Sequence, residues 1–399
     1  MNEEINFILV ANGAGEVAGY VKPLAAALFE SIPRSKIILA LSPCQYATKN
    51  EAKVAQSFGS ISQIIEPAVL RKWLLLNQTP PHINLAEKGA VIFLGGDLMW
   101  AALLARKAKY PAFAYLGDHL GWTKTFKKYF VATEPAFQKF ENRVPLGKLE
   151  LVGNLMVDSV QRRNNLPKPW EIKHQICQRL MLDPKKPIIS LFPGSRDFSL
   201  DYLIPFYQKT AEILRKESPQ VQVVLSLSPF VDKTKLQKYL NRYRVDLPYS
   251  EEAELIADVA ITIPGTNTAQ LGAMGLPMIV IFPLDRPDQI PLEGLADLIG
   301  KIPFLGVLFK KALAAYINSK VKYFSLPNKL ANQTIITELR GKIEPRNLAI
   351  QALALLGDPL RRTEMSMKLK AAMGEPGAAV KIVQAIKQEL GLSPKGEAI

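Results

Sequence analysis

Short apolar runs recur along this sequence, and each of them leads into small or acidic residues. In the first half of the chain they occupy residues 7–10, 37–41, 90–94 and 112–116. Runs of this length are typical of strands buried on both faces, and the segments between them are long enough for helices. The pattern predicts a parallel α/β sheet whose polar loops collect at the carboxyl edge of its strands.

The second half of the chain repeats this pattern at residues 188–192, 222–227, 259–263 and 278–282. A polar, proline-bearing stretch from Gln161 to Trp170 separates the two sets and suits a linker. Because 399 residues exceed what one hydrophobic core usually supports, we expect two doubly wound, Rossmann-like domains with a cleft between them. We predict domains at residues 1–165 and 166–345, with residues 346–399 forming helices that pack across both.

One apolar run leads directly into the turn Pro193-Gly194-Ser195-Arg196. Backbone N–H groups in a turn of small residues can face an anion, and a guanidinium can add two charge-assisted hydrogen bonds to one phosphate. The turn therefore indicates a phosphate site. The alternative is an ordinary β-turn whose arginine lies in solvent.

The uncharged stretch from Val259 to Leu284 has the length of a membrane span, but it contains three prolines and three glycines. We interpret it as a strand, a turn at Gly265-Thr266-Asn267, a helix and a second strand. The whole stretch is then predicted to be buried in the second domain and not to span a membrane.

The formal net charge of +14 predicts a polyanionic partner. Basic residues alternate with bulky apolar ones at residues 71–76, 122–130 and 295–324, which is typical of segments that lie on an anionic membrane surface. Ordinary core helices with solvated lysines are the alternative. No RNA-recognition signature or zinc finger is visible, so no nucleic-acid partner is expected.

The chain has two cysteines, Cys44 and Cys177, and neither belongs to a metal-binding spacing. We therefore predict no metal site. The N-terminus lacks the basic n-region and the cleavage site of a signal peptide, so we expect a cytoplasmic protein.

Several of these loops resemble motifs of the lipid A disaccharide synthase family. The matching segments are Gly15-Glu16-Val17-Ala18-Gly19, Val152-Gly153-Asn154-Leu155-Met156-Val157-Asp158, Phe192-Pro193-Gly194-Ser195-Arg196, Gly265-Thr266 and Phe324-Ser325-Leu326-Pro327-Asn328-Lys329-Leu330-Ala331. The resemblance implies a GT-B glycosyltransferase that is inverting, independent of metals and of cofactors, and bound peripherally to the inner face of the cell membrane. Members of the family transfer an acylated glucosamine from a UDP donor to an acylated glucosamine phosphate.

On this resemblance the second domain would bind the nucleotide sugar. A diphosphate leaving group needs positive charge and N–H donors, which an arginine and a helix N-terminus can supply. The predicted donor-site residues are Ser195, Arg196, Gly265, Thr266, Asn267, Gln270 and Asn328. Gln270 stands where the family has a glutamate suited to the ribose hydroxyls, and Asn328 is either a ligand contact or the centre of an Asx turn.

The first domain would bind the acceptor, and inversion requires a base for the acceptor hydroxyl. Asp97 follows the strand at 90–94 and is our candidate, although it could instead begin the next helix as its N-cap. Asp118 and His119 are rival bases. Gly15 and Glu16 belong to the N-terminal motif, and Glu16 could orient the acceptor.

This sequence departs from the family pattern mainly in the acceptor half. The family's Ser-Gly-Asp is Ala18-Gly19-Tyr20 here, and Asn154 replaces a histidine. Two alternative functions therefore remain: transfer to a different lipid acceptor, and a non-catalytic homologue that binds a nucleotide sugar or a lipid. A UDP-sugar epimerase of the same two-domain fold is a further alternative.

Overall fold

The computed structural model describes residues 4–32, 34–44, 47–164, 169–283 and 319–392. The chain forms two compact units. The first unit consists of Met1–Arg162 and Gly374–Ile399, and the second unit consists of Arg163–Met373.

A seven-stranded parallel sheet organises the first unit, in the order β3-β2-β1-β4-β5-β6-β7. All seven residues of the first strand are buried, as expected for a strand covered on both faces. The strands are β1 (Ile5–Ala11), β2 (Ser35–Leu41), β3 (Gln63–Ile65), β4 (Lys88–Phe93), β5 (Ala112–Leu116), β6 (Phe126–Val131) and β7 (Leu149–Leu151).

The helices of the first unit fill the connections between these strands. A π-helical turn, Val17–Val21, interrupts the first of them, and a 3₁₀ turn, Glu141–Arg143, follows a later one. The α-helices are α1 (Ala14–Glu16), α2 (Lys22–Ser31), α3 (Glu51–Gln56), α4 (Pro67–Leu75), α5 (Leu98–Ala108), α6 (Glu134–Phe140) and α7 (Leu155–Asn164).

The second unit contains a six-stranded parallel sheet in the order β10-β9-β8-β11-β12-β13. Its strands are β8 (Ile188–Phe192), β9 (Gln222–Ser226), β10 (Tyr249–Ser250), β11 (Val259–Thr262), β12 (Met278–Pro283) and β13 (Thr337–Gly341). Its helices are α8 (Pro169–Arg179), α9 (Asp197–Glu217), α10 (Lys233–Arg242), the 3₁₀ turn Ala253–Leu255, α11 (Thr266–Met274), α12 (Leu326–Ala331), α13 (Pro345–Leu356) and α14 (Pro359–Met373).

The two sheets share one topology. The strand order reverses between β1 and β4 in the first sheet and between β8 and β11 in the second. These two doubly wound sheets confirm the predicted fold class. In open α/β sheets, ligands bind at the carboxyl ends of the strands where the order reverses, so each unit has one expected binding position.

The C-terminal segment is divided between the two units. Helices α13 and α14 belong to the second unit, whereas the last helix, α15 (Ala378–Glu389), belongs to the first and packs on α2. The structure therefore assigns residues 346–373 and 374–392 to different units, where the sequence predicted one group of helices. Residues 165–168 of the predicted linker lie outside the described residues.

Asp158 holds the last helix in the first unit. Its carboxylate accepts hydrogen bonds from the N–H groups of Gly377 and Ala379, both at 2.6 Å. Burial raises the pKa of Asp158, against the opposing effect of these two N–H groups and of Lys381. A carboxylate at a helix N-terminus stabilises the helix by satisfying its first donors.

None of the helices in the described parts of the chain is long and apolar enough to cross a membrane. Residues 295–318 of the third basic and apolar segment lie outside the described residues.

Candidate functional site

The switch point of the second unit brings two turns into contact. One turn, Pro193–Arg196, follows β8, and the other, Ile263–Gly265, follows β11. Gly194 has a φ of +84° and Gly265 a φ of +131°, which glycine adopts more readily than other residues. A Cβ atom at Gly194 would lie 3.2 Å from Cδ1 of Ile263, so this glycine allows the turns to approach closely.

The second of these turns begins α11. Gly265 is its N-cap residue, and its carbonyl oxygen accepts a hydrogen bond from the Thr268 hydroxyl at 2.7 Å. The hydroxyl thereby fixes the backbone just before the first turn, where Thr266 and Asn267 lie. The first N–H groups of an α-helix have no acceptor within the helix, so this end of α11 can bind an anion. Gln270 is half-buried one turn further along.

Arg196 lies at the opposite side of the same switch point. It is the N-cap residue of α9, and it is exposed, while Ser195 before it is half-buried. An exposed guanidinium beside a glycine turn is suited to bidentate binding of a phosphate. The predicted residues 195, 196 and 265–267 therefore lie at one edge of one sheet.

Asn328 lies apart from this group and makes hydrogen bonds within the protein. The residue is fully buried in α12. Its Oδ1 atom accepts from the N–H groups of Ile335 and Ile336, and its Nδ2 atom donates to the Ile336 carbonyl oxygen and to Glu338. Because both ends of the amide already have partners, Asn328 anchors the chain before β13 and has no atom free for a ligand.

Glu338 is the centre of that anchor. Its side chain is only 5% exposed and accepts hydrogen bonds from the N–H groups of Phe324 and Ser325, from the Ser325 hydroxyl and from Arg340. Burial alone would raise the pKa of Glu338, but these donors stabilise the carboxylate and lower the pKa below its usual value. The Ser-Leu-Pro-Asn motif is therefore structural.

At the switch point of the first unit, Glu16 covers the ends of β1 and β4. A Cβ atom at Gly95 would collide with Cγ of Glu16, and it would lie 3.3 Å from the carboxyl carbon. A Cβ atom at Gly13 would lie 2.8 Å from Oε2 of Glu16. These two glycines leave the space that the Glu16 side chain occupies. Gly15 lies beside it in α1.

Asp97 follows β4 at the same edge and is exposed. It is the N-cap residue of α5, because its Oδ1 atom accepts a hydrogen bond from the Met99 N–H at 2.8 Å. The alternative assignment of Asp97 as an N-cap is thus correct. A carboxylate has two oxygens, so the cap leaves Oδ2 available to accept a proton.

Asn12 lies beside these carboxylates and was not singled out in the sequence. A Cβ atom at Gly96, whose φ is +93°, would lie 3.1 Å from Cγ of Asn12 and 2.9 Å from the Ser42 hydroxyl oxygen. The Oδ1 atom of Asn12 is buried and accepts no hydrogen bond from the described residues. No periodicity or motif in the sequence distinguishes this asparagine from a turn residue.

Two departures from the family pattern, Tyr20 and Asn154, make contacts within the first unit. The Tyr20 ring lies edge-on against Tyr115 with 5.2 Å between their centroids, and burial together with the charge of Glu16 raises the pKa of Tyr20 to about 12. Asn154 accepts a hydrogen bond from the Met156 N–H at 3.0 Å and so begins α7. Both residues therefore have structural roles.

Asp118 and His119 follow β5, one strand away from the switch point, and both are exposed. The Lys139 ammonium group donates to the backbone oxygen of Asp118 at 2.9 Å. Among the residues that the structure describes, no group of three or more His, Cys, Asp or Glu side chains could hold a metal ion.

Two solved structures have a fold similar to that of the chain. UDP-GlcNAc 2-epimerase from Neisseria meningitidis bound to UDP-GlcNAc superimposes with a TM-score of 0.56 at 15% identity, over 96% of this chain and 100% of that one. The UDP-GlcNAc 2-epimerase from Methanocaldococcus jannaschii gives a TM-score of 0.57 at 14% identity, over 96% and 99%. The architecture and its two switch points define the GT-B fold.

Sequence comparison finds similarity to one family of enzymes. The family described as lipid-A-disaccharide synthetase matches residues 135–305. A lipid-A-disaccharide synthase from Anaeromyxobacter dehalogenans is 29% identical over 216 residues, which are 52% of this chain and 50% of the relative. The synthase from Coxiella burnetii is 26% identical over 292 residues, or 67% of this chain and 72% of the relative. The chain is therefore similar to the lipid-A-disaccharide synthase family over part of its length, and it spans about half the length of the first of these relatives.

Proposed function

We propose that the protein is an inverting, metal-independent glycosyltransferase that moves a glucosamine-type sugar from a UDP donor to a membrane glycolipid. Similarity to lipid-A-disaccharide synthases supports this reaction. The observation that carries the proposal is the contact between the turns after β8 and β11 at the switch point of the second unit.

These turns are suited to a nucleotide diphosphate. The bond between the anomeric carbon and the diphosphate oxygen breaks during transfer, and negative charge develops on UDP. The guanidinium of Arg196 and the N–H groups at the start of α11 can stabilise that charge. Ser195 and Asn267 can add hydrogen bonds, and Gln270 can bind a ribose hydroxyl.

The acceptor would bind at the switch point of the first unit. Its hydroxyl oxygen forms the new bond to the anomeric carbon on the face opposite UDP, which inverts the configuration. The hydroxyl proton passes to a carboxylate, and Asp97 is our candidate because its Oδ2 atom is not used by the helix cap. Gly15, Glu16, Asp118 and His119 would line the acceptor side.

The acceptor lipid would be met at the inner face of the cell membrane. Arg71 and Lys72 lie in α4 beside Leu75 and Leu76, whose side chains are 61% and 64% exposed. Together with the net charge of +14, this surface supports peripheral binding to anionic lipids.

UDP release tests the proposal. The purified protein is incubated with UDP-N-acylated glucosamine donors and with glycolipid acceptors in vesicles that contain anionic phospholipid. We expect UDP release that requires the acceptor, together with a disaccharide lipid product. If no acceptor promotes UDP release, the protein is a non-catalytic homologue. Conversion of the UDP-sugar without an acceptor would instead identify an epimerase.

A further inference from the structure

We propose that the second unit has a further binding site, for a small molecule that carries a phosphate or diphosphate group, at the edge of its sheet opposite the switch point. The site is a cavity of about 540 Å³, which we call the amino-edge cavity. It is separate from the proposed transfer reaction and does not depend on it. Its charged lining residues are Lys173, Lys185, Lys186, Glu217, Asp258 and Arg362.

The parallel topology places this cavity at the amino ends of two strands. Pro187 directly precedes β8 and Asp258 directly precedes β11, and both residues line the cavity. The turns at residues 193–196 and 263–265 follow the same two strands at their other ends. Because each residue of a strand adds about 3.3 Å, strands of this length put roughly 15 Å between the cavity and these turns. A ligand in the amino-edge cavity is therefore distinct from one at the switch point.

The lining of the amino-edge cavity has an excess of positive charge. Four cationic and two acidic side chains give it a net charge of +2. One of the two acidic residues, Asp258, is already paired: its Oδ1 atom lies 3.7 Å from the Lys173 ammonium group, and its Oδ2 atom accepts a hydrogen bond from the Ile188 N–H at 2.8 Å. The charge that faces a ligand is therefore positive.

Two of the cations have no acceptor among the residues that the structure describes. Lys185 and Lys186 lie in the turn between α8 and β8, where their backbone N–H groups donate to Asp183 at 2.9 and 3.2 Å. Both residues are exposed, and their ammonium groups make no hydrogen bond or ion pair within the described parts of the chain. An anion in the cavity would offset the repulsion between these two like charges.

Arg362 presents a guanidinium group to the same cavity. Its Nη1 atom donates to the carbonyl oxygens of Leu355 and Leu356 at the end of α13. Cations commonly bind the last carbonyl groups of a helix, but this contact uses only one side of the guanidinium group. The N–H groups on Nη2 and Nε have no acceptor among the described residues, and two such groups can bind one phosphate in parallel.

This combination of side chains favours a phosphorylated small molecule. Lysine binds a phosphate as a point charge, and arginine adds a bidentate contact. Val221, Leu353 and Leu356 supply apolar surface in the same cavity, against which the organic part of a ligand can pack. The volume of the cavity lies within the range of about 300–1,000 Å³ that is usual for small-molecule sites.

A pyrophosphate titration of the isotope-labelled full-length protein, followed by backbone amide chemical shifts, tests the site. We expect the amides of residues 185, 186, 220 and 221 to change along one saturation curve. Any change at residues 194–196, in the turn after β8, should follow a separate curve. Inorganic phosphate should bind the cavity more weakly than pyrophosphate, because it carries less charge.

Substitutions in the lining should change this affinity in opposite directions. Lys185→Gln and Lys186→Gln should each weaken pyrophosphate binding about threefold to tenfold, whereas Glu217→Gln should strengthen it about threefold because a like charge is removed. Lys209→Gln is the matched control, since Lys209 is exposed in α9, does not line the cavity and loses the same charge. It should leave the affinity within about twofold. The saturation curve at residues 194–196 serves as the control for folding.

The proposal is overturned if the amides at the cavity do not shift saturably with pyrophosphate, or if neither lysine variant binds more weakly than the wild type. It is also overturned if Lys209→Gln weakens binding as much as the lining variants do, because the effect is then one of overall charge. UDP release with glycolipid acceptors is a separate measurement, so the transferase assignment stands or fails independently of this site.

Discussion

At the scale of single residues, Arg196 and Asn328 have different roles although both lie in similar loop motifs. Arg196 and Asn328 both follow a proline-bearing segment, and both were predicted to bind the nucleotide sugar. Arg196 is exposed beside a glycine turn, whereas Asn328 is buried and uses its whole amide within the protein. The sequence shows that both residues are polar. It does not show that Arg196 is exposed to a ligand and that Asn328 is buried, because burial depends on the packing of the folded chain.

Arg196→Ala should weaken UDP binding by at least tenfold, because a guanidinium–phosphate contact is a charge-assisted hydrogen bond. The exposed side chain contributes little to packing, so the melting temperature should change by less than about 2 °C. Titration calorimetry and thermal unfolding give the two values. If the affinity for UDP is unchanged, the turn is an ordinary β-turn and not a phosphate site.

Asp97→Asn should reduce kcat about a hundredfold or more while UDP-sugar affinity is kept. Asparagine is as good an N-cap as aspartate, so α5 should stay intact and the loss should reflect the missing base. Steady-state kinetics measure the loss of kcat, and the melting temperature shows whether α5 stays intact. Normal turnover by a folded variant would exclude Asp97 as the base.

Glu338→Gln should lower the free energy of unfolding of the second unit by about 2 kcal/mol at pH 7, since the carboxylate accepts several buried hydrogen bonds. Because the folded-state pKa of Glu338 is lowered, its stabilisation is present above the usual glutamate pKa and is lost as the pH falls through the lowered value. Urea unfolding of wild type and variant should therefore converge in acid. Glu344→Gln, at a carboxylate that is 63% exposed, is the control and should have almost no effect. A pH-independent difference would contradict this role.

At the scale of elements, the strands were predictable and the long-range contacts were not. The apolar runs at 7–10, 90–94 and 188–192 became β1, β4 and β8 because a strand buried on both faces must be apolar throughout. The assignment of α15 to the first unit depends on Asp158, which lies 219 residues before its partner Gly377. No local pattern encodes such a pair. Likewise, no local pattern in the sequence indicates the π-helical turn at Val17–Val21.

Asp158→Ala should loosen α15 without unfolding the sheet. Loss of a side-chain cap costs about 1–2 kcal/mol, so amide hydrogen exchange at Gly377 and Ala379 should accelerate about tenfold. Exchange in β1 should stay slow. If the amides of α15 exchange at the wild-type rate, Asp158 does not hold this helix.

At the scale of the whole molecule, two copies of one topology supply two different binding positions. In the second unit the switch point presents a guanidinium and a helix N-terminus, which suit an anion. In the first unit it presents Glu16, Asn12 and Asp97, which suit hydroxyl groups. This difference is the physical basis for our proposal that the donor binds in the second unit and the acceptor in the first.

The most direct test of the donor site is a titration of the isotope-labelled protein with UDP, followed by backbone amide chemical shifts. We predict that the largest changes occur at residues 194–196 and 265–267, in the two turns that meet after β8 and β11, while the amides of residues 12–16 change little. Changes concentrated in the first unit, or the absence of changes in both turns, would contradict the account.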